Sequence, residues 1–199
     1  LISAMYVVEN RTDTLMLGTL EGTASVGLYA VANKGAEAIS YMLLAVNTAM
    51  ASKFAKLYAQ GDRQKLQKEV TKCTRIITSV AFPIGLGLII FGTWFLQLFG
   101  SDFVAARGAL TVLCVSNLVN ALVGSVSLLL IMSGHARYVS TTVTVTAGVN
   151  ILLNFVLIPR FGVVGAAIAT ATSTILRNIV LERFVRQKIG IHTSVFIGP

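Results

Sequence analysis

The chain of 199 residues contains few of the side chains from which catalytic and metal sites are built. It has two histidines and two cysteines, and neither histidine stands at metal-ligand spacing from a cysteine or an acid. It contains no Gly-x-Ser-x-Gly elbow and no phosphate-binding P-loop. Cys73 lies in a basic segment and Cys114 in an apolar run, so no disulfide is expected. We therefore predict a protein that is not an enzyme and that uses no cofactor or metal.

Charge is equally scarce, at 12% of residues against roughly 25% in soluble domains. Three runs of 26, 27 and 22 residues contain no charged side chain: Ile76–Ser101, Gly108–Gly134 and Tyr138–Pro159. A helix needs about 20 residues to cross a hydrocarbon core of roughly 30 Å, so each run is long enough. The Thr/Val alternation over residues 141–146 would indicate a strand alone, but its charge-free surroundings favour a helix. The composition predicts an integral membrane protein.

The hydropathy pattern predicts an all-α fold, a polytopic membrane bundle of about six transmembrane helices. The chain begins at Leu1 inside an apolar run without an initiator methionine, so we expect residues 1–20 to be the end of a truncated first helix. A second helix is expected over Ser25–Ser52. The remaining four are expected over residues 76–99, 109–132, 139–158 and 163–181. Residues 1–187 would thus form a six-helix lobe, with 188–199 as a short cytoplasmic tail.

The basic residues predict the orientation of this bundle. Segment 53–75 holds seven Lys/Arg against two acids and is expected to be a basic cytoplasmic loop, with a turn at Gly61-Asp62 and a helical stretch over Arg63–Lys72. Alternation then places eleven Lys/Arg inside and leaves the outside turns almost without basic residues. We expect a multi-pass protein of the inner (cytoplasmic) membrane. The charge is explained by topology and anionic lipids, so no nucleic-acid partner is expected.

Ionisable residues inside the spans are the candidate functional residues, because a charge at mid-membrane costs about 2.5–3.5 kcal/mol on insertion scales. Glu9 and Asp13 share one helical face, and Arg11 projects from roughly the opposite side. Lys34 and Glu37 can pair along another face, which Tyr41 would extend as a polar stripe. Arg177 lies some fourteen residues into the last helix.

Each candidate could also have a purely structural role. Lys34 and Glu37 would then neutralise each other, and Arg177 would extend toward the cytoplasmic interface. The charges at positions 9, 11 and 13 would lie near the outer interface. Four asparagines in the spans are expected to form interhelical hydrogen bonds: Asn117, Asn120, Asn150 and Asn154.

Four short sequences resemble those of one membrane family. They are Arg11–Gly18 (R-T-D-T-L-M-L-G), Ser25–Ala32 (S-V-G-L-Y-A-V-A), Gln97–Phe103 (Q-L-F-G-S-D-F) and Asn150–Thr170 (N-I-L-L-N-F-V-L-I-P-R-F-G-V-V-G-A-A-I-A-T). In this order and spacing, the chain resembles the O-antigen and polysaccharide flippases of the MOP exporter superfamily. This superfamily also contains the MATE multidrug transporters and the lipid II flippases.

The resemblance implies the second lobe of a MATE-like two-lobe transporter, with the N-terminal lobe absent from this chain. Such a protein moves a lipid-linked oligosaccharide, carried on a polyprenyl diphosphate, by alternating access through a central cavity. On this hypothesis Lys34 and Arg11 would ease passage of the diphosphate, while Glu9, Asp13 and Glu37 could take a coupling proton or cation. The implied partners are the bilayer, the missing N-terminal half and a polysaccharide polymerase.

Three rival functions remain open at this stage. A multidrug or cation antiporter would need acids without compensating bases, whereas here Lys34 accompanies Glu37 and Arg11 accompanies the two nearby acids. A lipid II flippase would also use cationic cavity residues. A non-transporting membrane scaffold in polysaccharide assembly would have its intramembrane charges paired and sealed from water.

Overall fold

The computed structural model describes residues 12–193, and this part of the chain is helical almost throughout, with no strand. It begins in helix over residues 12–20 and turns at Glu21-Gly22. The elements that follow are α1 (Thr23–Ala59), α2 (Arg63–Gln97), a 3-10 helix (Ser101–Ala106), α3 (Arg107–Val123), α4 (Val126–Met132) and α5 (Ala136–Lys188). The predicted all-α fold is confirmed, and the 141–146 segment is helical.

Three elements of the described chain are long and apolar enough to cross a membrane: Arg63–Gln97, Ser101–Val123 and Ala136–Lys188. The last has 53 residues, which at 1.5 Å per residue gives about 80 Å, too long for one crossing. It is interrupted at Gly162, whose φ of 53° and ψ of −131° are not helical. The two expected helices on either side of this residue are therefore correctly placed.

The two halves of α5 fold back on each other as a hairpin. Contacts join positions at similar distances before and after Gly162: Asn150 Nδ2 lies 3.4 Å from Ser173 Oγ, and the rings of Tyr138 and Phe184 are 4.7 Å apart. At the corner the backbones almost touch, because a Cβ on Gly165 would lie 2.3 Å from the carbonyl oxygen of Leu157. Small buried residues follow this glycine, and they permit close packing of the two halves: Ala166, Ala167, Ala169 and Ala171.

The single span expected over residues 109–132 is wrong. The structure divides it at Gly124, which has a φ of 78° and separates the 17 residues of α3 from the 7 residues of α4. A Cβ at Gly124 would lie 2.5 Å from Thr74 Oγ1 of α2, so the close approach of α2 requires glycine here. Ser125 donates a hydrogen bond to Asn47 of α1. This polar contact offsets the interruption of the helix within a membrane segment.

The basic segment 53–75 is helical on both sides of a short turn rather than an extended loop. The expected turn at Gly61-Asp62 and the expected helix after it are both present. Asp62 caps α2 by accepting from the backbone N–H of Lys65 at 3.0 Å, and the Lys65 side chain, bonded to the same carboxylate, lowers the pKa of Asp62. From there α2 runs without a break through Pro83 to Gln97, so the basic residues after the turn belong to the same helix as the apolar run.

Replacing Gly165 by alanine should destabilise the hairpin corner. The new methyl group would overlap the Leu157 carbonyl, and such overpacking costs about 1–3 kcal/mol. Gly148→Ala is the matched control, because Gly148 is helical in the same element and has nothing within 4 Å of the added carbon. Equilibrium unfolding in detergent micelles compares the two variants. Equal unfolding midpoints for the two variants would contradict the close approach of the Gly165 and Leu157 backbones.

Candidate functional site

Asp13, one of the predicted site residues, is buried in the bundle and is 3% exposed. Its Oδ1 accepts from Asn154 Nδ2 at 2.5 Å. Its Oδ2 accepts from Thr170 Oγ1 at 2.6 Å and from the Tyr29 hydroxyl at 3.0 Å. The carboxylate thus connects the first described helical segment, α1 and both halves of α5. Such a convergence of hydrogen bonds holds a buried carboxylate in one place.

The sequence pattern of α5 explains why these donors meet. Asn150 and Asn154 stand one turn apart on one face, and Asn154 Nδ2 donates to Asn150 Oδ1 at 3.0 Å. Thr170 and Ser173 occupy one face of the returning half, where Ser173 Oγ donates to the Thr170 carbonyl at 3.0 Å. The hairpin brings both faces together against Asp13. We call these six residues the Asp13 cluster: Asp13, Tyr29, Asn150, Asn154, Thr170 and Ser173.

The Asp13 carboxylate has no positive partner among residues 12–193. All its hydrogen-bond donors there are neutral, and no ion pair of the described chain includes it. Burying an uncompensated charge costs several kcal/mol. A proton or a monovalent cation would balance the single negative charge. The cluster contains oxygen atoms of the hard type that alkali and alkaline-earth cations prefer.

One oxygen of the cluster, Asn154 Oδ1, lacks a hydrogen-bond partner in the described chain. Asn154 is fully buried, yet its Oδ1 accepts no hydrogen bond there. A buried carbonyl-type oxygen without a donor is unfavourable by about 1–3 kcal/mol. Since a cation needs acceptor oxygens and no donors, this oxygen is suited to cation binding.

The predicted pair of α1 is formed at the surface of the described lobe. Lys34 Nζ lies 2.7 Å from Glu37 Oε2, and the Lys34 side chain is 72% exposed. Asn33 Nδ2 donates to the other Glu37 oxygen at 2.9 Å, so both oxygens have partners. Tyr41 is exposed one turn further on, as the expected polar stripe requires. No hydrogen bond described for this pair joins it to the Asp13 cluster.

The other predicted site residues have different positions. Arg177 is half-buried on α5, and its Nη2 lies 3.4 Å from Thr174 Oγ1, outside the Asp13 cluster. Glu9 and Arg11 lie outside the described residues. The asparagines of α3 contact other helices, as predicted: Asn117 Oδ1 accepts from Ser40 at 2.8 Å, and Asn120 Oδ1 accepts from Asn178 at 3.0 Å.

Sequence reasoning missed Tyr29 and Thr170 as partners of Asp13. Both lie in the stretches that carried the family resemblance, Ser25–Ala32 and Asn150–Thr170. Their position in these stretches is the one sequence feature that they share. A tyrosine and a threonine within apolar helices do not by themselves indicate a shared site.

The described chain is thus an all-α membrane bundle with a largely buried, oxygen-rich carboxylate cluster between its first segment, α1 and the α5 hairpin. The family model described as MatE matches residues 1–156. The chain belongs to the MatE family.

Three curated relatives match most of the chain. It is 34% identical over 186 residues to the "Probable flippase AglR" of Haloferax volcanii, with 89% of this chain and 38% of that protein covered. It is 20% identical over 180 residues to the "Probable low-salt glycan biosynthesis flippase Agl15" of the same organism, covering 90% and 38%. An "Uncharacterized membrane protein MJ1068" of Methanocaldococcus jannaschii is 27% identical over 177 residues, covering 83% and 35%. The chain spans less than two fifths of each relative.

A cysteine at position 34 should react readily with a water-soluble maleimide. The Lys34 side chain is largely exposed, whereas the native Cys73 and Cys114 are both buried and should label slowly. The wild-type chain in detergent is therefore the control for Lys34→Cys. Labelling is followed by mass spectrometry. A variant that reacts no faster than the wild type would mean that this face is sealed.

Proposed function

We propose that the chain is one lobe of a two-lobe transporter that flips a lipid-linked oligosaccharide across the cytoplasmic membrane for polysaccharide biosynthesis by alternating access. Membership of the MatE family and the printed names of two relatives, both called probable flippases, support this class. The observation that carries the mechanism is the buried Asp13 carboxylate, whose hydrogen-bond donors in the described chain are all neutral.

The proposed substrate is costly to move across a membrane for two reasons, and the surface of α1 is suited to reduce both costs. Glycan hydroxyls are costly to place in hydrocarbon without hydrogen bonds, and the diphosphate carries negative charge. The Lys34 ammonium is exposed, and its partner Glu37 is about one-third exposed. If this face lines a hydrated cavity between two lobes, Lys34 would attract the diphosphate, and the hydroxyls would remain solvated.

The Asp13 cluster would couple transport to an ion gradient. A proton or monovalent cation bound there would neutralise Asp13, and its binding would strengthen the arrangement in which α1 and the α5 hairpin meet the first segment. A ligand that binds one arrangement more tightly shifts the population toward it. Loading and release of the ion would therefore change how these helices pack.

A second candidate function is a multidrug or cation antiporter of the same family. It is favoured by one observation, that Asp13 has no compensating base in the described chain. The exposed Lys34 beside Glu37 argues against organic cations as the transported substrate, since it repels them. Glycan export and efflux of a cationic dye are both measured in the same cells, and the activity that is present distinguishes the two functions.

Asp13→Asn should remove ion coupling while conserving the shape of the side chain. In the purified wild-type protein, sodium should raise the melting temperature, because a ligand at a hundredfold excess over its Kd stabilises by about 2.7 kcal/mol. The variant should not show this response, and glycan export in cells that depend on it should fall at least about tenfold. Asp102→Asn is the control, because Asp102 is exposed in the 3-10 helix. If the variant retains both the sodium response and export, the coupling role is wrong.

Lys34→Ala should reduce glycan export without lowering the amount of protein in the membrane. One cation near an anionic headgroup contributes about 1 kcal/mol, so we expect about a fivefold decrease. Exposed Lys56, on the cytoplasmic end of α1, provides the control Lys56→Ala. Unchanged export by Lys34→Ala at normal protein levels would remove Lys34 from the mechanism.

A further inference from the structure

Three exposed cations form a row on the cytoplasmic extension of α2, which we call the basic strip: Lys68, Lys72 and Arg75. Their spacing of four and three residues places them on one helical face. The two acids of segment 53–75 are already paired with other lysines, since Glu69 lies 2.8 Å from Lys53 and Asp62 lies 2.8 Å from Lys65. The strip therefore has no acidic partner among the described residues, and its charge is available to an anion.

The basic strip borders a surface recess of about 290 Å³, large enough for a phosphate headgroup. Its lining consists of the three cations together with Thr71 and Ile76. A threonine beside lysine and arginine offers the donor chemistry that phosphate oxygens require. Ile76, at the opposite end of the recess, marks the change from polar to apolar surface.

The same face of α2 becomes apolar beyond the recess. Ile76, Phe82 and Leu86 follow Lys72 by 4, 10 and 14 residues, and at about 100° per residue each lies within about 80° of Lys72 around the helix. All three are exposed. Because α2 is continuous from Arg63 to Gln97, these side chains extend about 21 Å beyond Lys72 at 1.5 Å per residue. A charged row above an apolar row has the polarity of a lipid molecule, with its head at one end and its chain at the other.

We propose that the basic strip and the apolar row below it bind an anionic phospholipid of the cytoplasmic leaflet. The phosphate lies against Lys68, Lys72 and Arg75, and one hydrocarbon chain runs along Ile76, Phe82 and Leu86. Anionic lipids of this leaflet attract cations that directly adjoin a membrane helix. The apolar row favours a lipid over a soluble phosphate compound, which would leave these side chains uncovered. This site is independent of the transported substrate and of the Asp13 cluster.

The test measures lipid binding to the complete purified chain in nanodiscs of phosphatidylcholine, with and without phosphatidylglycerol. Retention of fluorescent phosphatidylglycerol by the wild type is compared with that of the triple variant Lys68→Gln, Lys72→Gln, Arg75→Gln. Each cation near the surface is worth about fivefold, so the triple variant should bind about a hundredfold more weakly. The matched control replaces three other exposed cytoplasmic cations, Lys56→Gln, Arg137→Gln and Arg183→Gln, and should bind like the wild type.

Several outcomes would overturn the proposal. Equal loss of binding in the control would show that net charge alone attracts the lipid. If phosphatidylcholine is retained as strongly as phosphatidylglycerol, the site does not distinguish an anionic headgroup from a zwitterionic one. Binding of a polyprenyl phosphate without binding of phosphatidylglycerol would assign the strip to the transported lipid instead. If the triple variant does not fold, Lys72→Gln alone should still weaken binding about fivefold, and an unchanged affinity there would also contradict the site.

Discussion

A single carboxylate, Asp13, accepts hydrogen bonds from three parts of this bundle. Neutral groups from α1 and both halves of α5 converge on it: the Tyr29 hydroxyl, Asn154 Nδ2 and Thr170 Oγ1. In an apolar surrounding these bonds are strong, and the loss of any one leaves a buried polar group unsatisfied. The same bonds leave the negative charge uncompensated within residues 12–193. The cluster therefore holds these helices together, and under the proposed function a proton or cation would balance its charge.

The two groups of charged residues differ in exposure. Lys34 and Glu37 pair at a face that is exposed in the described chain. In the Asp13 cluster five of the six residues are buried and Thr170 is half-buried. Under the proposed function, the exposed pair would contact the substrate and the buried cluster would bind the coupling ion, so the two would not compete for one position.

Sequence reasoning located the membrane segments and the Lys34–Glu37 pair, because long apolar runs and residues three apart on a helix report local geometry directly. It did not locate the break at Gly124. That glycine is needed because Thr74 of α2 lies against it, and a contact between distant parts of the chain leaves no local pattern. A glycine in an apolar run is also common in unbroken membrane helices. The partners of Asp13 were missed for the same reason, since Thr170 and Asp13 are 157 residues apart.

The hairpin of α5 has a mechanical consequence. Its halves are joined at Gly162, their backbones are in contact near Gly165, and the rings of Tyr138 and Phe184 meet at the far end. Contacts at both ends oppose independent tilting of the two halves, so the hairpin would move as one rigid body. Because Asn154 and Thr170 lie eight residues from Gly162, about one third of the way along the two halves, a small displacement at the carboxylate would be magnified at the end of the hairpin that holds Tyr138 and Phe184.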